Sequence, residues 1–433
     1  MKRILLYIIG TLLLLALWAG VVFWGTVQGI WHEPITIEED VEAFTDASED
    51  KINRDFVGNF AMAILEGGKV TKELYYSADK PVDHNTVFQV ASLSKWVSAI
   101  GIMKLVEDGK LNLDAPVSTY LTRWQLPPSE FNNDGVTVRR LLSHMAGLTD
   151  GLGYSGFEEG KPIQPLEESL IHASDADDGA AGQVMVGIRP GSEFKYSGGG
   201  YSLLQLLVEE VTGQTFAKYM ETSVLRPMGL RYATYDWQEV NDNALVDFYD
   251  SDGTPAKHYH YTSLAATSLY VTMADLITLA QAHLMDQNGT IEQHVLQPST
   301  VKKMREPHAW SMGAPIWGLG TILYTPLSDG DYIFGHDGKS TPPINTALRL
   351  NPETGDGIIV LETGHPDLAT TLASEWVFWK TGQVDNLLFV MMMDTMIMMI
   401  IVGWAIILLL AIAASYYHYH KSKGAGRRAK AEL

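Results

Sequence analysis

An uncharged apolar run at each end of the chain constrains it most. Ile4 to Gly25 carries no charge over 22 residues, and Thr395 to Ala414 carries none over 20. At about 1.5 Å per helical residue, each is long enough to span about 30 Å of hydrocarbon. The first run is longer than the apolar core of a signal peptide, about 7–15 residues. It ends in bulky Trp18, Phe23 and Trp24 rather than in a small-residue cleavage site. We read it as an anchor. The second run is followed by Tyr416, Tyr417, His418 and His420, then by Lys421, Lys423, Arg427, Arg428 and Lys430. An apolar span, an aromatic belt and a basic tail predict a transmembrane helix with a cytoplasmic tail. Asp394, at the edge of that span, reads as interfacial.

Lys2 and Arg3 place the first end inside as well. Both termini are then cytoplasmic, and the middle is extracytoplasmic. This divides the chain into an N-terminal anchor or signal segment (1–34), an exported domain (35–385), and a second helix with its tail (386–433). The whole chain has a formal charge of −20, and residues 35–385 carry −24. So acidic a domain is no partner for nucleic acid, whose phosphates need a basic surface. The only large partner implied is membrane lipid, through the two spans. There is no cysteine, which excludes a disulfide scaffold, a thiolate metal site and a cysteine nucleophile. His258-x-His260 lacks an evident third ligand, and neither a Walker nor a Gly-x-Gly-x-x-Gly pattern occurs. We read no metal site and no cofactor.

Within the exported part, Phe60–Leu65 and Glu73–Ser77 flank Glu66-Gly67-Gly68 and predict a hairpin. Ile37–Asp55, Ala91–Glu107, Gly198–Thr212 and Thr272–Met285 predict helices. Ile344–Leu350 and Gly357–Glu362 predict two late strands joined at Asn351–Gly357. Strands at both ends with helices between them predict an α+β fold, its antiparallel sheet closed by the two ends of the domain. About 350 residues predict two lobes sharing an interface.

Ser-x-x-Lys is a nucleophile pattern, but it occurs five times here, at Ser48, Ser77, Ser92, Ser192 and Ser299. Only Ser92 follows a strand-like segment (Thr86–Val90) and opens a long apolar helix. One helical turn brings Lys95 beside it. Free N–H groups at the helix start face any developing negative charge. Apolar neighbours would desolvate the Lys95 amine, favouring its neutral form and letting it take a proton from Ser92. The bland reading is that Ser92 is a helix cap and Lys95 a solvated surface residue.

Six segments in order resemble the serine β-lactamase and penicillin-binding-protein family, nearest its class C-related branch. They are Phe88–Lys95, Asp108–Val117, Arg140–Leu148, Phe194–Tyr201, Ala265–Leu276 and Gly335–Gly338. The resemblance spans roughly residues 45–380. It implies an antiparallel sheet flanked by helices, a mostly helical second lobe, and a site between them. It makes Ser92 the acyl-accepting nucleophile, Lys95 the adjacent amine, and Tyr196 the phenol that carries protons to the leaving group. His336 would bond the substrate or orient Tyr196. The oxyanion would be held by backbone N–H groups of Ser92 and Lys339, just past Gly338. Two departures loosen the substrate. Gly198 stands where the family's Tyr-x-Asn has asparagine, and His336-Asp337-Gly338 stands where Lys-Thr-Gly is common. The resemblance therefore implies a membrane-anchored serine hydrolase acting on small-molecule or peptide acyl substrates, whether ester, amide or peptide. The alternative is a catalytically silent, penicillin-binding-like receptor for cell-wall fragments.

Overall fold

The computed structural model describes residues 2–151, 153–241, 244–284 and 295–431. Two compact units emerge: Ile35–Val377, and the terminal segments Met1–Pro34 with Phe378–Leu433. The division falls inside the Leu368–Thr381 helix, earlier than the expected 385.

Among the described residues, the main sheet of the Ile35–Val377 unit has eight strands. These are β1 (Asn59–Glu66), β2 (Lys69–Ser77), β3 (Ala309–Ser311), β4 (Ala314–Trp317), β5 (Ile322–Pro326), β6 (Tyr332–Ser340), β7 (Ile344–Asn351) and β8 (Asp356–Thr363). Their order is β2-β1-β8-β7-β6-β5-β4-β3, every pairing antiparallel. Phe60 lies opposite Glu362, so the first and last strands of the domain meet in the sheet, as expected of an α+β fold. Positive φ at Gly67 and Gly68 allows the tight β1–β2 turn. Strand β1 is buried on both faces, which is why Phe60-Ala-Met-Ala-Ile-Leu65 runs apolar without alternation. Edge strand β2 stays half exposed.

Helices Val41–Asp55, Ser94–Glu107, Gly198–Thr212 and Met273–Gln281 form where the apolar spacing predicts them. Asp40 caps the first, accepting from Ala43 N. Thr272 caps the last, accepting from Asp275 N at 3.1 Å. The expected end of that helix, Met285, lies outside the described residues. The sheet and the helical layer do not divide into separate cores. One continuous apolar cluster runs from Ala63 and Ile359 through Trp96 and Ile100 to Leu203 and Leu207. The reason is the Ser94–Glu107 helix: eleven of its fourteen residues are buried, so it is covered on all sides.

In the other unit, helices Lys2–Val27 and Met393–Ala431 contain stretches of 23 and 26 residues long and apolar enough to cross a membrane. They lie antiparallel and touch. Trp18 Nε1 donates to Met399 O at 3.1 Å, and Trp404 Nε1 donates to Leu15 O at 2.9 Å. The Trp18 indole occupies the space that a side chain at Gly403 would need.

Candidate active site

The sequence Val87-Phe-Gln89 pairs as a short strand with Tyr270–Thr272. It delivers the chain to Ala91, which takes the left-handed conformation at φ 45°. That conformation is strained for a residue with a Cβ. It is held on both sides. Thr346 Oγ1 donates to Val90 O at 3.0 Å, and Ser94 Oγ donates to Ala91 O at 2.6 Å while accepting from Leu269 N at 2.9 Å. The outcome is a single 3-10 turn, Ala91–Leu93, before the α-helix starts at Ser94. The expected Ala91–Glu107 helix therefore has Ser92 on its tight first turn, raised into a cleft.

Ser92 Oγ accepts from Lys95 Nζ at 3.0 Å and from Tyr196 OH at 2.9 Å. Lys95 is buried and also donates to Ala266 O at 2.9 Å. Its Nζ lies 5.0 Å from the Tyr196 ring centroid and 5.6 Å from that of Tyr201. The four other Ser-x-x-Lys pairs make no such cluster. Ser48 donates to Phe44 O inside its own helix, while Lys51 pairs with Asp55. Lys80 pairs with Asp247, and Ser192 donates to Arg189 O.

Tyr196 precedes the Gly198–Thr212 helix. Ser197 caps that helix by accepting from Gly200 N at 2.8 Å. Buried Asp150 accepts from Ser197 Oγ at 2.5 Å and from Gly199 N at 2.9 Å. Burial raises the Asp150 carboxyl above the usual carboxylate range. His144 was legible in the sequence as part of Arg140–Leu148 but had no assigned role. Its ring stacks on Tyr196 at 4.3 Å, and its Nδ1 accepts from Ser197 N at 3.1 Å. Burial, then the Lys95 charge, holds His144 neutral. Trp317 completes the aromatic wall, edge-on to both Tyr196 and His144. Neither residue's part is visible in spacing, since each depends on contacts across the fold.

Strand β6 supplies the opposite wall. Gly338 sits against the nucleophile turn. A Cβ there would meet Val90 O at 2.2 Å and Ser92 N at 3.1 Å. Lys339 is exposed and pairs with Asp367. Lys339 and Asp367 line the cleft, as does Gly198, where no side-chain amide is presented, whereas Gly338 is not among the lining residues. His336 departs from expectation. It is buried, does not line the cleft, and its Nδ1 lies 2.6 Å from Asp337 O. Strand alternation turns it toward Trp317, whose ring it meets edge-on at 5.4 Å. Burial and the Lys95 charge push it down to about 3, so it is neutral. The N–H it holds on Nδ1 donates to the Asp337 carbonyl. On the other face, Asp337 binds buried Arg349, Tyr324 OH and Thr370 Oγ1, which fixes the strand from behind.

The cleft has a volume of about 390 Å³, with Ser92 and Lys95 among its lining residues. Among the described residues no cluster of three or more His, Asp or Glu is placed to hold a metal. His258 and His260 instead stack on Phe248 and Trp237.

A family model described as Beta-lactamase matches residues 50–375. The chain is 28% identical over 306 residues to penicillin-binding protein 4 of Amycolatopsis lactamdurans, covering 68% of this chain and 76% of that protein. It is 23% identical over 329 residues to protein flp of Staphylococcus aureus, covering 72% of this chain but only 61% of that protein's length. Among solved structures, the octameric penicillin-binding protein homologue from Pyrococcus abyssi superposes with a TM-score of 0.64 at 24% identity, over 80% of this chain and 78% of that one.

Proposed function

Because this chain belongs to the Beta-lactamase family, we propose that it is a membrane-anchored serine hydrolase working through an acyl-enzyme on the extracytoplasmic side. One observation carries the reading: Ser92 Oγ lies within hydrogen-bond distance of both Lys95 Nζ and Tyr196 OH inside a cleft. A serine hydroxyl is a weak nucleophile unless a neighbour takes its proton. Lys95 and Tyr196 are the two groups placed to do so. In the reactive form the Lys95–Tyr196 pair holds one proton fewer than an ammonium and a phenol together, so as Ser92 Oγ attacks the substrate carbonyl its proton moves onto the unprotonated member of that pair. The oxyanion that forms is held by the backbone N–H groups of Ser92 and Lys339, on the two segments that meet at Gly338. Tyr196 then returns a proton to the leaving group, and water releases the acyl group by the same path. His336 takes no substrate contact in this scheme. It backs Trp317, which in turn backs Tyr196.

Gly198 in the cleft wall offers no side-chain amide to an acylamino substrate. We therefore rank ester and peptide hydrolysis above β-lactam hydrolysis. The two apolar terminal helices support anchoring by their length and composition, and the basic residues beside them support cytoplasmic ends.

The test uses the full-length chain in detergent, treated with a fluorescent fluorophosphonate and a fluorescent penicillin, with Ser92→Ala as control. Fluorophosphonate labelling that disappears in Ser92→Ala is the expected result, with weak or no penicillin labelling. Absence of labelling by either probe on folded wild-type protein overturns the hydrolase reading.

A further inference from the structure

Four charged side chains line the cleft: Lys95, Asp177, Lys339 and Asp367. Three of them are accounted for. Lys95 is held by Ser92 and Ala266, and Lys339 and Asp367 neutralise each other. Asp177 is different. Its Oδ1 accepts from Ser155 Oγ at 3.0 Å, and among the described residues no cation lies within ion-pair distance. Its seat depends on Gly153, because a Cβ there would fall 1.5 Å from Asp177 Oδ2. The backbone has given up a side chain where the carboxylate enters. Two residues away lies Asp175, which is buried. Burial, and after it the charge of Asp177, pushes the Asp175 carboxyl up to about 6. The other titratable groups of this wall, Tyr154 and Tyr261, are held neutral by burial and bring no positive charge. Asp177 is exposed on the wall of the cleft that Ser92 also lines, so its carboxylate is accessible to a substrate that brings its own cation.

We propose that Asp177 selects substrate charge, and that the acyl substrates of this cleft carry a protonated amine that pairs with the Asp177 carboxylate. The proposal rests on the acyl-transfer reading above and names the substrate class for the same site. The amine donates to Asp177 Oδ2, the oxygen that the Ser155 hydroxyl leaves open. Charge-assisted hydrogen bonds are among the stronger and more directional contacts available to a small ligand. Asp177 touches substrate only through that group and takes no part in bond breaking.

The experiment compares two esters on the full-length chain at pH 6.5, glycine p-nitrophenyl ester and N-acetylglycine p-nitrophenyl ester. Intrinsic reactivity cancels when the ratio of their kcat/KM values is followed across variants. In Asp177→Asn the ratio should fall by about ten-fold in disfavour of the free amine, the lower end of what a hydrogen bond to a charged group is worth. In Asp177→Lys the preference should invert toward succinic acid mono-p-nitrophenyl ester, which carries a carboxylate. Thermal midpoints establish that both variants fold, and Ser92→Ala separates the two claims. Ester cleavage that does not need Ser92 overturns the acyl-transfer reading, and this proposal with it. Ser92-dependent cleavage whose ratio ignores both Asp177 substitutions overturns the charge selector alone.

Discussion

Tyr196 has its ring gripped and its hydroxyl shared. His144 stacks on one face, Trp317 meets it edge-on, and the OH reaches Ser92 Oγ at 2.9 Å. Tyr196→Phe keeps that packing and removes only the hydroxyl. If the phenol carries the proton, kcat should fall by about 10²- to 10⁴-fold with little change in KM. Steady-state kinetics on a p-nitrophenyl ester checks this, and a loss confined to KM would rule out the proton-carrying role. Gly338→Ala is the complementary case, since its Cβ would press on Val90 O and Ser92 N. Backbone must shift, so we expect a loss of about 1–3 kcal/mol in stability together with a lower acylation rate. Denaturant melts and fluorophosphonate labelling rates read the two effects separately. Ser92, Lys95 and Tyr196 were legible because their motifs are local: three residues span one turn, and Tyr196 stands two before the glycine-rich helix entry. His336 was legible as a position but not as a role. Whether a strand residue faces the cleft or the wall depends on register against β7, and that pairing is 12 residues away at His336–Leu348. Asp177 carried no motif at all, and only the fold brings it into the cleft that Ser92 lines.

At the scale of elements, the two terminal helices show how much a pattern can and cannot say. Each apolar run was plain from composition, yet nothing in either run says that they touch. The contact is specific: a glycine at 403 makes room for the Trp18 indole, and each helix receives an indole N–H on a backbone carbonyl of the other. Small residues allow such close approach of two helices. Gly403→Leu should therefore separate the pair while leaving each helix intact. The absence of cysteine makes this straightforward to test. A Leu15→Cys/Trp404→Cys pair should be joined by a short bismaleimide, and adding Gly403→Leu should abolish the cross-link. Persistence of the cross-link in the triple variant would mean that the glycine is not what permits pairing. Inside the Ile35–Val377 unit the legible elements were the long apolar ones, including β1 and the Ser94–Glu107 helix, which are buried on every side. The expectation of a sheet and a helical lobe agrees with the fold, and what chain length does not show is that the buried Ser94–Glu107 helix joins the two in one continuous apolar cluster.

For the whole molecule, the buried titratable groups set opposing pH limits on stability. Burial pushes His283 down to about 4 and, with the Lys95 charge, His336 down to about 3. An unfolded histidine titrates near 6.5. Below that pH the unfolded chain binds protons that the native state refuses, so stability falls with acidity from about 6.5 toward 4, by roughly 1.4 kcal/mol per pH unit for each fully buried ring. Glu362 acts in the other direction. It lies fully buried on β8, Oε2 accepts from Ala369 N at 3.3 Å, and burial raises its carboxyl to about 9. The native state keeps that proton while the unfolded chain releases it above about 4.5, so this group costs stability as pH rises from 4.5 toward 9. The two effects together place the stability maximum near neutrality. Glu362→Gln removes only the second. Glutamine has the same shape, stays neutral, and can still accept from Ala369 N. The variant should melt several degrees higher than wild type at pH 8, match it at pH 4, and keep the acid-side decline set by the histidines. Thermal midpoints from pH 4 to 9 decide the matter. Parallel curves for the two proteins would show that Glu362 is ionised in the native state, and that the alkaline limit has another source.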